Sequence, residues 1–145
     1  MVGSVIPLAQ ARRPPVTKDK ILDAAESLFM EHGFEATSLR SITAAAGVNL
    51  ASVNYHFGSK EELFQAVLTR RLDPMNQERV DLLARLEHDA APAALPCDRI
   101  LSAMFIPALR LARDPERGGK TFLRLLGRAY ADPAPFIRRL LAEQY

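Results

Sequence analysis

The 145-residue chain contains one cysteine, no tryptophan and no long apolar run. A single thiol, Cys97, excludes an internal disulfide and a zinc site built from cysteines alone. No apolar stretch comes near the roughly 20 residues that span a bilayer. Arg12 and Arg13 follow the few apolar residues of the N-terminus, which reverses the order found in a signal peptide. These features predict a cytoplasmic protein that does not insert into a membrane.

An excess of one charge sign is also lacking, because 19 basic and 17 acidic residues leave a net charge of only +2. The distribution of the charges is more informative than their sum. Residues 37–60 contain Arg40 and Lys60 and no acidic residue, and residues 1–18 likewise contain basic residues and no acid. We therefore expect a polyanionic partner to bind within the first 60 residues.

Apolar residues recur at helical spacing along most of the chain, and no segment alternates long enough to form a strand. The predicted fold class is therefore all-α. Residues 1–16 contain several prolines, show no helical period and are expected to form a flexible arm. The first helix is expected to begin after an N-cap at Thr17, with Val16 packed against Ile21, and to end at a left-handed Gly33.

Two short helices are predicted next, joined by a glycine turn. Ser38 (or Thr37) is expected to open the second helix and Gly47 to end it. Asn49 is expected to cap a third helix that runs to His56. A helix followed by two short helices around a glycine turn is the helix-turn-helix arrangement of DNA-binding proteins.

The third helix is predicted to have a buried face and an open face. At about 100° per residue, Val53 and Phe57 lie within about 40° of each other and point into a core. Ala51 and Tyr55 lie on the opposite side, with Asn54 on a flank. The open face has no acidic residue and mostly small or polar side chains, so it can approach a major groove.

Five further helices interrupted by prolines are predicted in the C-terminal half. Ser59 begins a fourth helix, which Asp73 and Pro74 end, so that a fifth runs from about 74 to 89. The starts or bends of the later helices are marked by Asp98, Pro107 and Asp132–Pro133. Further apolar residues expected to point inward are Ala45, Val80, Leu101 and Leu109.

Several motifs of the first half resemble one family. The segments ILDAA at 21–25, TSLRSI at 37–42, AGV at 46–48 and VNYHFGSKEEL at 53–63 resemble the DNA-binding domain of the tetracycline-repressor (TetR) family. The segment 47–57 is also similar to the branch that senses fatty acyl compounds. The resemblance implies a helix-turn-helix DNA-binding domain at 17–62 and a helical ligand-binding and dimerisation domain at 63–145. Because family members usually end in two more long helices, this second domain is expected to be truncated.

Candidate DNA-binding residues lie on the second and third helices and at the start of the fourth. Tyr55 and Lys60 are expected to contact phosphates, whereas Asn54 either contacts an adenine edge or is merely exposed. Leu50 either joins the core or contacts a thymine methyl group. The full set is Thr37, Ser38, Arg40, Leu50, Ala51, Ser52, Asn54, Tyr55, His56 and Lys60.

A ligand site for a small apolar effector is predicted among the C-terminal helices, because their apolar residues exceed what a minimal scaffold needs. A fully packed core is the alternative. The expected lining residues are Leu83, Leu86, Ile100, Met104, Phe105, Phe122, Leu125 and Leu126.

The function predicted is a homodimeric, sequence-specific regulator of transcription, a repressor released from an inverted-repeat double-stranded DNA operator by the effector. The alternative is a helix-turn-helix module that binds proteins rather than DNA. No nucleophile–base pair, glycine-rich phosphate loop or carboxylate cluster at catalytic spacing is present. We therefore expect neither an enzyme nor a cofactor or metal.

Overall fold

The computed structural model describes residues 16–144, which form seven α-helices and a 3₁₀ turn without any strand. The fold class is therefore all-α, as predicted. Apart from Val16, the expected flexible arm lies outside the described residues. The helices are α1 (Thr17–His32), α2 (Leu39–Ala46), α3 (Leu50–His56), α4 (Lys60–Ala90), α5 (Cys97–Arg113), α6 (Gly119–Ala131) and α7 (Pro135–Ala142), with the 3₁₀ turn at Pro115–Arg117.

The two ends of α1 differ in detail from the prediction. Val16 rather than Thr17 occupies the N-cap position, and its carbonyl accepts hydrogen bonds from the amides of Asp19 and Lys20. The Val16 side chain is exposed, so it does not pack against Ile21. At the other end Gly33 has φ 84° and ψ 172°, a positive φ but not the left-handed helical conformation. Glycine adopts this positive-φ conformation without strain, so Gly33 still ends α1 as predicted.

The helix-turn-helix begins where the sequence predicts. The Ser38 hydroxyl accepts a hydrogen bond from the Ser41 amide at 3.0 Å, and Ser41 Oγ accepts one from the Ser38 amide at 3.2 Å. Gly47 ends α2 in the left-handed conformation, with φ 67°. Asn49 Oδ1 then accepts a hydrogen bond from the Ser52 amide at 2.9 Å and caps α3. Each of these starts is fixed by side chains within three residues.

One long helix replaces the predicted fourth and fifth helices, because α4 continues through Pro74. A proline inside a helix costs about 3 kcal/mol, since it removes a backbone hydrogen bond and crowds the preceding turn. Leu72 and Met75, on either side of it, are fully buried, and each buried side chain of this size contributes about 1.5–3 kcal/mol. Packing against the core thus outweighs the helix-ending signal of Asp73 and Pro74, and the predicted break between two helices is wrong.

Two later helices begin at residues other than those predicted. The first hydrogen bonds of α5 are accepted by the Pro96 carbonyl, so Asp98 lies inside the first turn rather than at the N-cap. Asp132 Oδ1 accepts a hydrogen bond from the Ala134 amide at 2.8 Å. This contact orders a tight turn, and α7 begins only at Pro135.

The orientation of α5 is the reverse of the prediction. Its buried residues are Ala103, Pro107 and Leu111, which follow one another at intervals of four along the helix. Several other apolar side chains of α5 are turned outward as a result. These exposed side chains are Ile100, Leu101, Met104, Phe105 and Leu109, and Val80 of α4 and Ala45 of α2 are exposed as well.

One hydrophobic core joins the helix-turn-helix to the helices that follow it. Phe29 and Phe34 stack with ring centroids 5.9 Å apart, so Phe34 folds back onto α1. Both rings also meet Phe64 of α4, at 5.0 and 5.2 Å, and Phe34 lies 5.5 Å from Phe136 of α7. The predicted boundary between residues 62 and 63 therefore lies inside a shared core. We call residues 17–62 the head.

Candidate nucleic-acid interface

The open face of α3 is placed as the sequence predicts. Val53 is fully buried beside Ile42 and Phe57 in the core. Tyr55 is 85% exposed on the opposite side, and Ala51 and Asn54 are exposed with it. Small and polar side chains thus surround one projecting phenol on a surface free of acidic residues. Such a surface is compatible with entry into the major groove.

Donors border this face on several sides. Arg40 is exposed on α2. His56 is exposed at the end of α3, with its ring edge-on to Tyr55 at 5.1 Å. Ser38 is exposed but uses its hydroxyl as a cap, while Leu50 is only partly covered. Ser52 is half-buried and donates to Asn49 Oδ1 at 3.0 Å. Contact of these residues with DNA stays a prediction.

Thr37 is a correction to the expected set. Its side chain is only 2% exposed, and the hydroxyl donates to the Gly33 carbonyl at 2.7 Å, with the Leu28 carbonyl 3.2 Å away. The hydroxyl therefore fastens the turn between α1 and α2 to the end of α1. It is neither a helix cap nor placed to meet a phosphate.

Lys60 also differs from the expectation. Its ammonium donates to the carbonyls of Phe34 at 2.9 Å and Thr37 at 3.2 Å, and it lies 4.3 Å from the centroid of the Phe34 ring. Two of its three donors are thus directed into the protein. The charge expected to face a phosphate instead holds the turn between α1 and α2 against the start of α4.

An ion-pair cluster around one buried glutamate, between α1 and α4, is absent from the sequence predictions. Glu26 of α1 is only 5% exposed and receives hydrogen bonds from Arg70 Nη2 at 2.6 Å and Arg71 Nε at 3.1 Å. Arg70 also donates to Asp23 at 2.7 Å. We call Asp23, Glu26, Arg70 and Arg71 the Glu26 junction. One signal for it exists in the sequence, because Glu26 falls four residues after Leu22 and three before Phe29 on the buried stripe of α1.

The charges of the junction support one another. Burial of the Arg70 guanidinium acts to lower its pKa, but hydrogen bonds to Glu26 and Asp23, together with their negative charges, raise the pKa above its ordinary value. Arg70 therefore remains a cation. Its Nε is buried without a hydrogen-bond partner, so the carboxylates hold it from one side only.

The expected effector-binding residues do not converge on one enclosed cavity. Ile100, Met104 and Phe105 are exposed on α5. Leu83, Leu86 and Leu126 are half-buried, whereas Phe122 and Leu125 are packed in the core. A surface depression of about 300 Å³ between α4 and α5 contains only one of these residues, Leu86.

Among residues 16–144, no three histidine, cysteine or acidic side chains are grouped in a way that could hold a metal ion. Within the same range, no helix has the length and the hydropathy needed to cross a membrane.

The fold and the open face of α3 define a helix-turn-helix protein with a helical region behind the head. Family models give the more particular assignment. Residues 21–67 match the model described as "Bacterial regulatory proteins, tetR family", and residues 102–145 match "Tetracyclin repressor-like, C-terminal domain". The chain belongs to the TetR family.

Individual relatives agree with this assignment. The HTH-type transcriptional repressor BepR of Brucella suis biovar 1 (strain 1330) is 34% identical over 127 residues, which cover 86% of this chain and 57% of BepR. The HTH-type transcriptional repressor ComR of Escherichia coli (strain K12) is 45% identical over 62 residues, or 42% of this chain and 30% of ComR. These relatives are regulators of transcription, and the chain spans less than two thirds of either.

A solved structure extends the likeness to the fold. The structure named "SmeT-Triclosan complex" superimposes with a TM-score of 0.68 at 27% identity. The match covers 90% of this chain and 59% of SmeT. The shared fold therefore includes the helices behind the head as well as the head itself.

Proposed function

We propose that this chain provides the DNA-binding head and part of the regulatory region of a sequence-specific repressor of transcription. The observation that carries the proposal is the acid-free outer face of α3, which projects Tyr55, Asn54 and Ala51 from a packed helix-turn-helix. The protein acts in the cytoplasm and is not an enzyme. Repression is favoured over activation because BepR and ComR are both described as repressors.

The side chains of this surface divide by chemistry into two kinds of contact. Asn54 can pair with an adenine edge through its amide, and Ala51 and Leu50 suit thymine methyl groups. Tyr55, His56, Arg40 and Ser38 border them and suit phosphates, which fix orientation without selecting sequence. Base selection is therefore assigned to the centre of α3, and affinity to its margins.

A single head reads too little DNA to select an operator alone. The seven residues of α3 extend about 10 Å at 1.5 Å per residue, which matches only a few base pairs. We therefore propose that two copies of the chain bind two half-sites separated by about one or more helical turns. A homodimer with two-fold symmetry requires an inverted-repeat operator.

Release by a small apolar molecule is the second part of the proposal. SmeT, whose fold this chain shares, is described in complex with triclosan. The exposed apolar side chains of α5, Met104 and Phe105 among them, are of the type that lines adaptable ligand sites. A ligand releases DNA only if it binds the DNA-incompetent conformation more tightly.

Selection of bound sequences from a random duplex pool tests DNA binding. We expect enrichment of a two-fold symmetric sequence by the full chain. Arg40→Ala should lower the affinity for all duplexes, with Arg85→Ala, an exposed arginine on α4, as the control for a lost charge. Asn54→Ala should instead change which bases are enriched. Absence of any enriched sequence would overturn the proposal and favour a protein-binding module.

Titration of ligands into the protein–duplex complex tests release. The probes are triclosan and medium- and long-chain fatty acyl compounds, and the readouts are loss of the complex and the unfolding temperature of the free protein. Release by one class identifies the chemistry of the effector. No release and no stabilisation by any of them would contradict the apolar effector while leaving DNA binding intact.

A further inference from the structure

Glu26 is distinctive among the described residues because it is the one acidic side chain that is buried. Arg71 binds its carboxylate through two parallel contacts, Nε to Oε2 at 3.1 Å and Nη2 to Oε1 at 3.4 Å. Arg70 adds the contact from Nη2 at 2.6 Å. A carboxylate held by two guanidinium groups from adjacent residues has a narrow choice of orientation.

The Glu26 junction joins α1 to α4, and a second polar contact joins α4 to the turn that follows α1. Near the start of α4, Lys60 binds the turn that follows α1. Arg70 and Arg71 lie ten and eleven residues further along, about 15 Å away at the rise of an α-helix. Apolar contacts alone tolerate small rotations of α1 relative to α4. Two polar contacts at separate points along α4 fix the angle at which the head lies on that helix.

Gly118 brings a third element to the junction. It is the N-cap of α6, with φ 97°, and a Cβ placed on it would lie 3.0 Å from Glu26 Oε1, 3.0 Å from Arg71 Nε and 3.0 Å from Phe122 Cβ. At the other end of α6, Arg128 Nη1 lies 3.5 and 3.4 Å from the carbonyls of Met30 and Glu31 and donates to them. The loop and helix behind the head therefore contact α1 directly.

Stability alone does not account for such an arrangement. Desolvation of the charges offsets most of their attraction, so a buried ion pair adds little net stability relative to an apolar pair. A buried ion pair nevertheless requires a well-defined geometry, and loss of one partner leaves the other charge buried without a counter-charge. The Glu26 junction is therefore better suited to fixing the orientation of α1 on α4 than to stabilising the fold.

We propose that Glu26 is a positioning residue for DNA binding, which, with Arg71, fixes the angle of the head on α4. The segment that ends at Gly118 sets this angle from the C-terminal region. The inference rests on the proposed function, because the angle matters only if two heads must match two half-sites. A changed angle lowers the affinity for a two-site duplex more than the affinity for a single half-site.

Glu26→Gln in the full chain tests this role, with Glu31→Gln as the control. Glu31 is an exposed carboxylate on the same helix. Binding is measured on the selected two-site duplex and on a duplex that retains one half-site, at a temperature where circular dichroism shows each variant folded. We expect Glu26→Gln to lose roughly tenfold in affinity for the two-site duplex, a typical coupling between sites, and much less for the single half-site. Equal losses on both duplexes would overturn the inference.

A double variant keeps the test available if Glu26→Gln does not fold. Glu26→Leu combined with Arg71→Met removes the carboxylate and one of its two guanidinium partners, while Arg70 keeps its hydrogen bond to Asp23 at 2.7 Å and is therefore not left without a carboxylate. We expect this variant to fold and to lose the preference for the two-site duplex. A folded double variant with the wild-type preference would contradict the inference.

Hydrogen exchange tests the contribution of Gly118 without DNA. We expect Gly118→Ala to speed exchange in residues 22–29 of α1, and Gly127→Ala to leave it unchanged, because a Cβ at Gly127 of α6 meets nothing within 4 Å. Faster exchange confined to residues 114–121 would show that the loop does not act on the junction. Failure of the wild-type chain to enrich any duplex would contradict the proposed function instead. The hydrogen-exchange result would still show whether Gly118 influences the Glu26 junction.

Discussion

Two of the three donors of the Lys60 ammonium point into the protein, and this decides what the side chain contributes. From the sequence alone, Lys60→Ala is expected to lower the salt dependence of DNA binding by about one charge. The structure changes that expectation. We now predict that Lys60→Ala lowers the free energy of unfolding by about 1 kcal/mol and changes the salt slope by well under one. Arg40→Ala should lower the slope by about one.

Urea unfolding and DNA titrations over a range of salt concentrations measure these two effects. Lys120→Ala, which removes an exposed lysine from α6, is the control for stability. If Lys60→Ala lowered the salt slope of DNA binding by a full unit and left the free energy of unfolding unchanged, Lys60 would contact a phosphate after all.

Thr37 offers a second test at the residue scale. Thr37→Val replaces the buried hydroxyl by a methyl group and removes the 2.7 Å hydrogen bond to the Gly33 carbonyl. We predict a loss of about 1 kcal/mol in the free energy of unfolding, with unchanged DNA contacts. Thr69→Val is the matched control, because the Thr69 hydroxyl bonds only to carbonyls of its own helix turn. An equal effect of the two substitutions in urea unfolding would contradict the assigned role of Thr37.

Sequence separation explains which residue roles could be predicted. The caps Ser38, Asn49 and Ser59 each bond to an amide three residues away, so their signal is contained in a short window. Glu26 bonds to side chains 44 and 45 residues away, and Lys60 to carbonyls 26 and 23 residues away. A helical wheel gives the direction of such a side chain but not what another helix brings to meet it.

At the scale of the element, the local signals place the starts of α2 and α3 correctly but misplace those of α1, α5 and α7 by one or two residues. Periodicity identifies α1, α2 and α3, and it gives the buried side of α3 correctly. It failed at Pro74, where the buried neighbours Leu72 and Met75 sustain the helix. It failed again on α5, where Ala103, Pro107 and Leu111 face inward, because hydrophobicity alone does not show which side of a helix its neighbours cover.

Substitution of Pro74 tests the balance that sustains α4. Pro74→Ala supplies an amide for the Arg70 carbonyl and removes the crowding of the ring. Without the proline the unfolded chain is more flexible, which offsets this gain by about 0.4–1 kcal/mol. We predict a net rise of about 2–2.5 kcal/mol in the free energy of unfolding, measured in urea. Pro133→Ala, in the turn before α7, should lower stability slightly. A loss of stability in Pro74→Ala would mean that the proline shapes α4 in a way that packing needs.

At the scale of the whole molecule, the head is not an independent unit. Its aromatic residues Phe29 and Phe34 share a core with Phe64 and Phe136, while α6 runs along α1 with a polar tie at one end and Gly118 at the other. The sequence predicted a DNA-binding domain at 17–62 followed by a helical regulatory domain at 63–145. It could not show that the two share a core, because the contacting residues are far apart in the chain.

Removal of the Phe136 ring tests this cooperativity. Phe136 lies on α7 and is half-buried against Phe34 of the head, so Phe136→Ala should cost about 2 kcal/mol, less than a fully buried phenylalanine. Because the core is shared, we predict that hydrogen exchange accelerates in α1 and α2 as much as in α6, and that unfolding remains a single transition at a temperature several degrees lower. Phe105→Ala is the matched control, since that ring is 62% exposed on α5 and its loss should change stability little. If Phe136→Ala accelerated exchange only in α6 and α7, the head would be an autonomous unit. Coupling between the head and the region behind it would then depend on the polar ties alone.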